Sequence, residues 1–366
     1  MSIIGAPVSV FLGGGGVGKT TLAACAGIAA AQAGQRVVVL TIDPARRLAT
    51  TLGLDATVGE EEETSTDGEA RNLGNEPRLI DGPWPGELWA AMLDPTATMW
   101  TVLCEQTSPE RAARITANPL FATVVESLSG SNEYLAAERL LQLHDDDRFD
   151  AIVLDTPPSR HAIDFLESPD RLARFLGNRL YRLVLAPRPG LLRPVNSAAQ
   201  LIMRTAARLV GSDLIDNVIR LFADTEGLDD ALTARATRTS ALLADDGCRF
   251  TVVSTPREEP MREAQWIIDR LHERDRRADA LVVNRCLPFG RGPVPDGADT
   301  TDQALLANWQ ELAHLAALED DAIDKLRGQA PDRLSVATLD ERLTPLRSIE
   351  ELATLAAELA EAVDTV

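Results

Sequence analysis

Residues 13–20 read Gly13-Gly14-Gly15-Gly16-Val17-Gly18-Lys19-Thr20. The spacing G-x-x-x-x-G-K-[ST] is met by Gly13, Gly18, Lys19 and Thr20, and the glycines let successive backbone N–H groups turn inward around an anion. The segment is therefore expected to be a phosphate-binding loop. Its flanks agree: Val8 to Leu12 reads as a short buried strand, and Thr20 to Ala33 as a helix whose N-terminus points partial positive charge at the phosphates, with Gly34 ending it. Lysine usage singles out the same place. Of 36 basic residues only Lys19 and Lys325 are lysines, and a compact flexible ammonium reaches between phosphate oxygens where a guanidinium fork does so poorly.

Working outward, runs of β-branched and aliphatic residues recur between helical stretches: Arg36 to Ile42, Ala151 to Leu154, Phe250 to Val253, Leu281 to Val283 and Leu334 to Ala337. Strands alternating with helices imply parallel crossovers. The expected fold class is thus α/β, a doubly wound, mostly parallel sheet with ligands bound beyond the carboxyl ends of the strands. Two stretches, about 96–145 and 165–245, keep amphipathic helical spacing without a strand, and they read as a helical subdomain inserted into a single 1–366 domain. Mobile loops are expected over 58–77, with its acidic run Glu60 to Glu63, and over 288–302, rich in Gly, Pro and Asp.

Composition narrows the function classes. With 366 residues, 45% of them apolar, the chain has material for a sizeable core. A net charge of −20 repels nucleic-acid backbones and anionic lipid surfaces alike, and no basic run offsets it. No apolar run nears the ~20 residues that span a bilayer, and the N-terminus lacks a basic region before a cleavable apolar stretch, so the chain is expected in the cytoplasm. Cys25, Cys104, Cys248 and Cys286 are scattered without C-x-x-C spacing, as suits reduced thiols. Cys25, on the helix after the loop, reads as packing.

Two further motifs stand at strand ends. Thr41-Ile42-Asp43-Pro44-Ala45-Arg46-Arg47 follows the second strand, where Asp43 can hold an attacking water beside a γ-phosphate. Asp155-Thr156-Pro157-Pro158-Ser159-Arg160-His161 follows the strand ending at Leu154, where an Asp can orient water on Mg²⁺. An N-cap at Asp43 and a simple turn at Asp155 are the structural alternatives.

Gly-Gly-Val-Gly-Lys-Thr-Thr at 15–21, Asp-Pro-Ala at 43–45, Asp-Thr-Pro-Pro-Ser at 155–159 and Val283-Asn284 together resemble the arsenite-pump ATPase family, which includes the ATPase that escorts tail-anchored membrane proteins. The resemblance is to a bacterial member and extends over nearly the whole chain. It implies a P-loop ATPase binding ATP and Mg²⁺, with Gly15, Gly16, Val17, Gly18, Lys19, Thr20 and Thr21 around the phosphates and Thr20 as a ligand of Mg²⁺. It also implies Asp43 activating or orienting water, Asp155 in the second switch at the metal, and Asn284 reading adenine. A guanine pocket would want Asn-Lys-x-Asp, whereas this strand ends Asn284-Arg285-Cys286-Leu287.

The chain also departs from the family. The deviant loop begins Gly-Lys-Gly-Gly-Val-Gly-Lys, and its first lysine reaches across a dimer to the other subunit's nucleotide; this chain has Gly14 there. Arg46 and Arg160, where the family usually has His and Gly, lie in the switch segments. The sharper expectation is a heterodimer with a paralogue that keeps the lysine, a homodimer being the other form; ATP binds to the isolated chain but turns over slowly until the partner is present. The dispersed cysteines speak against arsenite activation, the missing C-x-x-C pair against a zinc-joined dimer, and the lack of cysteines over 155–166 against an iron–sulfur relative. Ile202, Ala206, Leu209, Val210, Leu214, Ile215, Val218, Ile219 and Phe222 form an apolar stripe that either faces a client helix or is ordinary core. A catalytically weak regulatory subunit and a partitioning or positioning ATPase remain as alternatives, the latter opposed by charge.

Overall fold

The computed structural model describes residues 4–42, 75–121, 131–158, 160–177, 217, 220–221, 223–225, 227–291, 303–329, 334–346 and 348–364. The chain divides into two compact units, one of Met1–Leu93, Gln142–Ile163 and Ala244–Val366, the other of Asp94–Leu141 and Asp164–Leu243.

The first unit is built on an eight-stranded sheet. Its strands are β1 (Val8–Gly13), β2 (Arg36–Thr41), β3 (Arg78–Ile80), β4 (Glu87–Met92), β5 (Ala151–Asp155), β6 (Cys248–Ser254), β7 (Ala280–Cys286) and β8 (Ser335–Asp340). They lie in the order β3-β4-β2-β5-β1-β6-β7-β8. Every pairing is parallel except β3 with β4, where the short edge strand runs antiparallel. The central strands are buried along their length: Val8, Val10 and Leu12 on one side of β1, Val37 to Leu40 on β2, Ile152 to Leu154 on β5. Such continuous aliphatic runs are what a parallel sheet covered on both faces requires.

Helix α1 (Lys19–Gln32) is nearly all small residues and is buried on every turn. That composition lets it lie close to the sheet; a Cβ at Gly27 would come 2.4 Å from Val39 Cγ2. The last helix (Ile349–Asp364) packs along α1 and β8 through Leu352, Leu355, Ala356, Leu359 and Val363, the residues its spacing puts on one face. A helix over Glu258–His272 covers β6 and β1 and meets the helix Gln303–Gln329.

In the second unit the described residues form helices and no strand. They include Pro95–Gln106, Pro109–Thr116, Asp229–Ala244 and most of Ser131–His144 and Arg160–Gly177. Asp94 and Ser108 cap the first two by accepting from the Ala97 and Arg111 amides, each with proline in the first turn. Inside this unit Arg235 is ion-paired with the fully buried Glu138 and with Glu105, and Tyr134 donates to Glu138 at 3.3 Å.

The sheet is wider than the sequence reading made it. Strands β3 and β4 are additional, and the final strand runs Ser335–Asp340 rather than 334–337. Its outer half alternates buried and exposed, as an edge strand does, so Thr338 and Asp340 carry no aliphatic signal. The loop expected over 58–77 lies outside the described residues up to 74, as does 292–302 of the second loop.

Candidate nucleotide site

The loop between β1 and α1 is shaped by two glycines. Gly13 has φ +152°, and a Cβ on it would fall 2.3 Å from the Val253 carbonyl oxygen of β6; Gly18, at φ +99°, is the N-cap of α1. Gly18 brings no side-chain cap, and no acidic residue occupies the first turn. The leading N–H groups of an α-helix have no intrahelical acceptors, so here they and the dipole face the loop with no acidic residue in the helix's own first turn. Lys19 is 7% exposed, and its Nζ donates to the Gly14 carbonyl at 2.8 Å across the loop. A buried ammonium is costly unless oxygens surround it, and this one meets the Gly14 carbonyl oxygen of the loop.

Strand register brings the second motif to the same place. Asp155 ends β5, and its register partners are Phe11 of β1 and Thr41 of β2. Its carboxylate is 1% exposed, and Oδ2 accepts from Thr20 Oγ1 at 2.8 Å and from Thr41 Oγ1 at 3.0 Å. Thr156 Oγ1 donates to the Phe11 carbonyl at 2.6 Å, tying the segment after β5 to β1. Thr20 and Asp155, expected at a metal, are therefore directly joined. Both offer hard oxygens, the donor type Mg²⁺ takes, so these residues suit that ion.

Asn284, near the end of β7, reaches the loop from the other side, where Nδ2 donates to the Val17 carbonyl at 2.9 Å. A cavity of about 690 Å³ opens here, lined by Gly16, Gly18, Lys19, Thr20 and Thr21, by Asn284 and Arg285, and by Asp340 at the end of β8 and residues 341–346 after it, with Leu352 and Leu355. Its size and its mixture of aliphatic, amide and charged groups suit a nucleoside. Of the expected site residues, Gly16, Gly18, Lys19, Thr20, Thr21 and Asn284 line this cavity, while Val17 and Asp155 touch them through hydrogen bonds. Gly15 stands at the outer turn of the loop, where a Cβ would meet nothing within 4 Å. Asp43, Arg46 and every residue of the apolar stripe from Ile202 to Phe222 lie outside the described residues.

Sequence reasoning missed three contributors. Thr41 opens the motif Thr41-Ile42-Asp43, where nothing in the sequence gives it a role of its own. Segment 340–346 (Asp-Glu-Arg-Leu-Thr-Pro-Leu) follows a strand end but matches no pattern. Glu263 stands beside Gly14, its Oε2 2.0 Å from where a Gly14 Cβ would lie.

The cysteines lie apart from this chemistry. Burial pushes the thiols of Cys25, Cys248 and Cys286 up to about 12. Cys25 Sγ faces the Leu352 carbonyl at 3.7 Å, a packing role. Among the described residues no three His, Cys, Asp or Glu side chains gather as a metal cluster, and no helix is long and apolar enough to cross a membrane.

A parallel doubly wound sheet whose first strand ends in a glycine loop capped by a lysine-bearing helix defines a P-loop nucleoside-triphosphatase fold. Residues 8–293 match the family model described as anion-transporting ATPase, the ArsA ATPases, and the chain belongs to that family. Curated relatives include the ATPase get3 of Aspergillus terreus, 27% identical over 170 residues, which are 46% of this chain and 44% of that protein. The ATPase GET3 of Pyricularia oryzae is 28% identical over 172 residues, 46% of this chain and 45% of the relative. The match thus spans less than half the length of these relatives.

Proposed function

We propose that this chain is a Mg²⁺-dependent ATPase subunit that binds ATP in the loop and cavity described above and works in a dimer, a heterodimer with a lysine-bearing paralogue being favoured. The observation that carries the reading is the joined set Lys19, Thr20 and Asp155 at the N-terminus of α1. Lys19 and the loop amides hold the phosphates; Thr20, with Asp155 behind it, holds Mg²⁺, which when bound neutralises phosphate charge. Asn284 and the 340–346 segment take the base, and Leu287 stands where the Asn-Lys-x-Asp pattern of a guanine pocket has its Asp. Asp43 is assigned the water-orienting role. The absence of a side chain at Gly14 supports dependence on a partner, since a cation supplied in trans is worth roughly 10³–10⁵ in rate.

The helical second unit is the part assigned to the client, which an apolar helix would fit, and the site of action is the cytoplasm. A regulatory subunit that binds ATP without turning it over is the second reading, favoured by the carboxylate of Glu263 beside Gly14. Calorimetry with Mg·ATP, followed by phosphate-release assays with and without the lysine-bearing paralogue, tests both. Binding with partner-dependent turnover is expected; binding with no turnover in either condition selects the regulatory subunit, and absence of binding refutes the proposal.

A further inference from the structure

We infer that Asn284 is a positioning residue for the phosphate loop, clamping Val17 and Gly18 from the cavity side. This rests on the nucleotide-binding reading of the same site and goes beyond a base-reading role for the side chain. Nδ2 donates to the Val17 carbonyl at 2.9 Å. That acceptor fixes the amide's orientation, because only the NH₂ end can face a carbonyl oxygen. The approach is possible only against glycine: a Cβ at Gly18, where φ is +99°, would fall 2.4 Å from the same Nδ2.

The strand is shaped to deliver the amide. The β7–β8 register runs from Ala280 with Ser335 to Val283 with Thr338 and resumes at Cys286 with Asp340. Three steps on β7 thus match two on β8, a bulge at Asn284 and Arg285, and Arg285 takes φ +60°. Bulges beside active sites re-aim side chains, and a left-handed arginine is retained only where its surroundings enforce it. One amide therefore touches the phosphate loop and lines the cavity, so occupancy of the cavity and the shape of the loop are joined through a single side chain.

The test compares the full chain with Asn284→Asp, an isosteric change that removes the donor, and with Asn284→Ala. Hydrogen exchange of the free proteins is read at residues 15–21, with the last helix, Ile349–Asp364, as the folding control. Binding of Mg²⁺ with tripolyphosphate, a probe with no base, is measured by calorimetry beside ATP. Both variants are expected to exchange faster at 15–21 with the control unchanged; Asn284→Ala, which adds no charge, should bind tripolyphosphate about three- to tenfold more weakly, the range one hydrogen bond gives, and Asn284→Asp more weakly still because its carboxylate also repels the phosphates. Exchange and tripolyphosphate affinity within twofold of the parent, with only ATP weakened, would overturn the clamp and leave Asn284 a base contact. A parent chain that takes up neither ATP nor tripolyphosphate refutes the nucleotide reading, while the exchange comparison still decides the clamp.

Discussion

Glu263 Oε2 occupies the space that a side chain at Gly14 would enter, with a Cβ there falling 2.0 Å away. The clash is with the tip of a flexible side chain, so it is relieved by a rotamer change. A lysine placed at 14 can enter, but it meets a carboxylate in its own chain. Gly14→Lys alone is therefore expected to change ATP turnover less than twofold, whereas Gly14→Lys with Glu263→Ala raises it at least about tenfold by freeing the cation for a partner's phosphates. Steady-state phosphate release measures both, and a full rise from the single change would show that Glu263 does not hold the new ammonium.

Lys19→Ala removes the ammonium aimed into the loop, and a fall of about 10² in turnover is expected. Thr20→Ala and Asp155→Asn act at the joined oxygens instead. Their loss should appear first as a higher Mg²⁺ requirement, read by titrating the metal at fixed ATP. Equal metal dependence in parent and variants would remove Thr20 and Asp155 from the metal site.

At Gly13 the constraint is steric and conformational together, with φ at +152° and the rigid Val253 carbonyl 2.3 Å from any Cβ. Gly13→Ala is expected to destabilise the chain by about 2–4 kcal/mol. Thermal unfolding should move down by roughly 4–16 °C at the 2–4 °C per kcal/mol that larger domains show. Gly15→Ala, with nothing within 4 Å of its Cβ, is the contrast and should move it by less than 2 °C on the same order-of-magnitude scale.

Thiol chemistry carries a pH prediction. Burial disfavours the thiolate, so Cys25, Cys248 and Cys286 are raised from 9.0 to about 12. In the folded chain at mildly alkaline pH, iodoacetamide should modify Cys104, the half-buried one, and spare the other three until unfolding. The raised thiols keep protons that the unfolded chain loses, so their contribution to stability is complete below pH 9 and declines as pH rises toward 12. Peptide mapping and denaturation against pH check the two halves of this expectation.

The parts of the molecule legible in the sequence are those where one residue type has one physical use. Buried parallel strands are continuous aliphatic runs, and a glycine loop ending in Lys-Thr has few roles, so the sheet centre and the loop with Lys19 and Thr20 are legible from the residues, Asp155 from its place at a strand end, and Asn284 only through the family resemblance. Strand β4 escaped because Glu87-Leu88-Trp89-Ala90-Ala91-Met92 opens on a charge and mixes helix formers with an aromatic; only pairing with β2 makes it a strand. Thr41 and Glu263 escaped for another reason. Their roles come from register and helix placement, which bring them to Asp155 and Gly14 across long separations that no local pattern encodes.

When Asp155 is ionised its carboxylate only accepts, and the hydroxyls of both Thr20 and Thr41 donate to it. The Thr20 oxygen is left turning lone pairs, and no hydrogen, toward the mouth of the loop. That polarity welcomes a positive ion and rebuffs a bare anion, so the same side chain that starts the helix tells apart the two members of a metal–phosphate couple by sign alone.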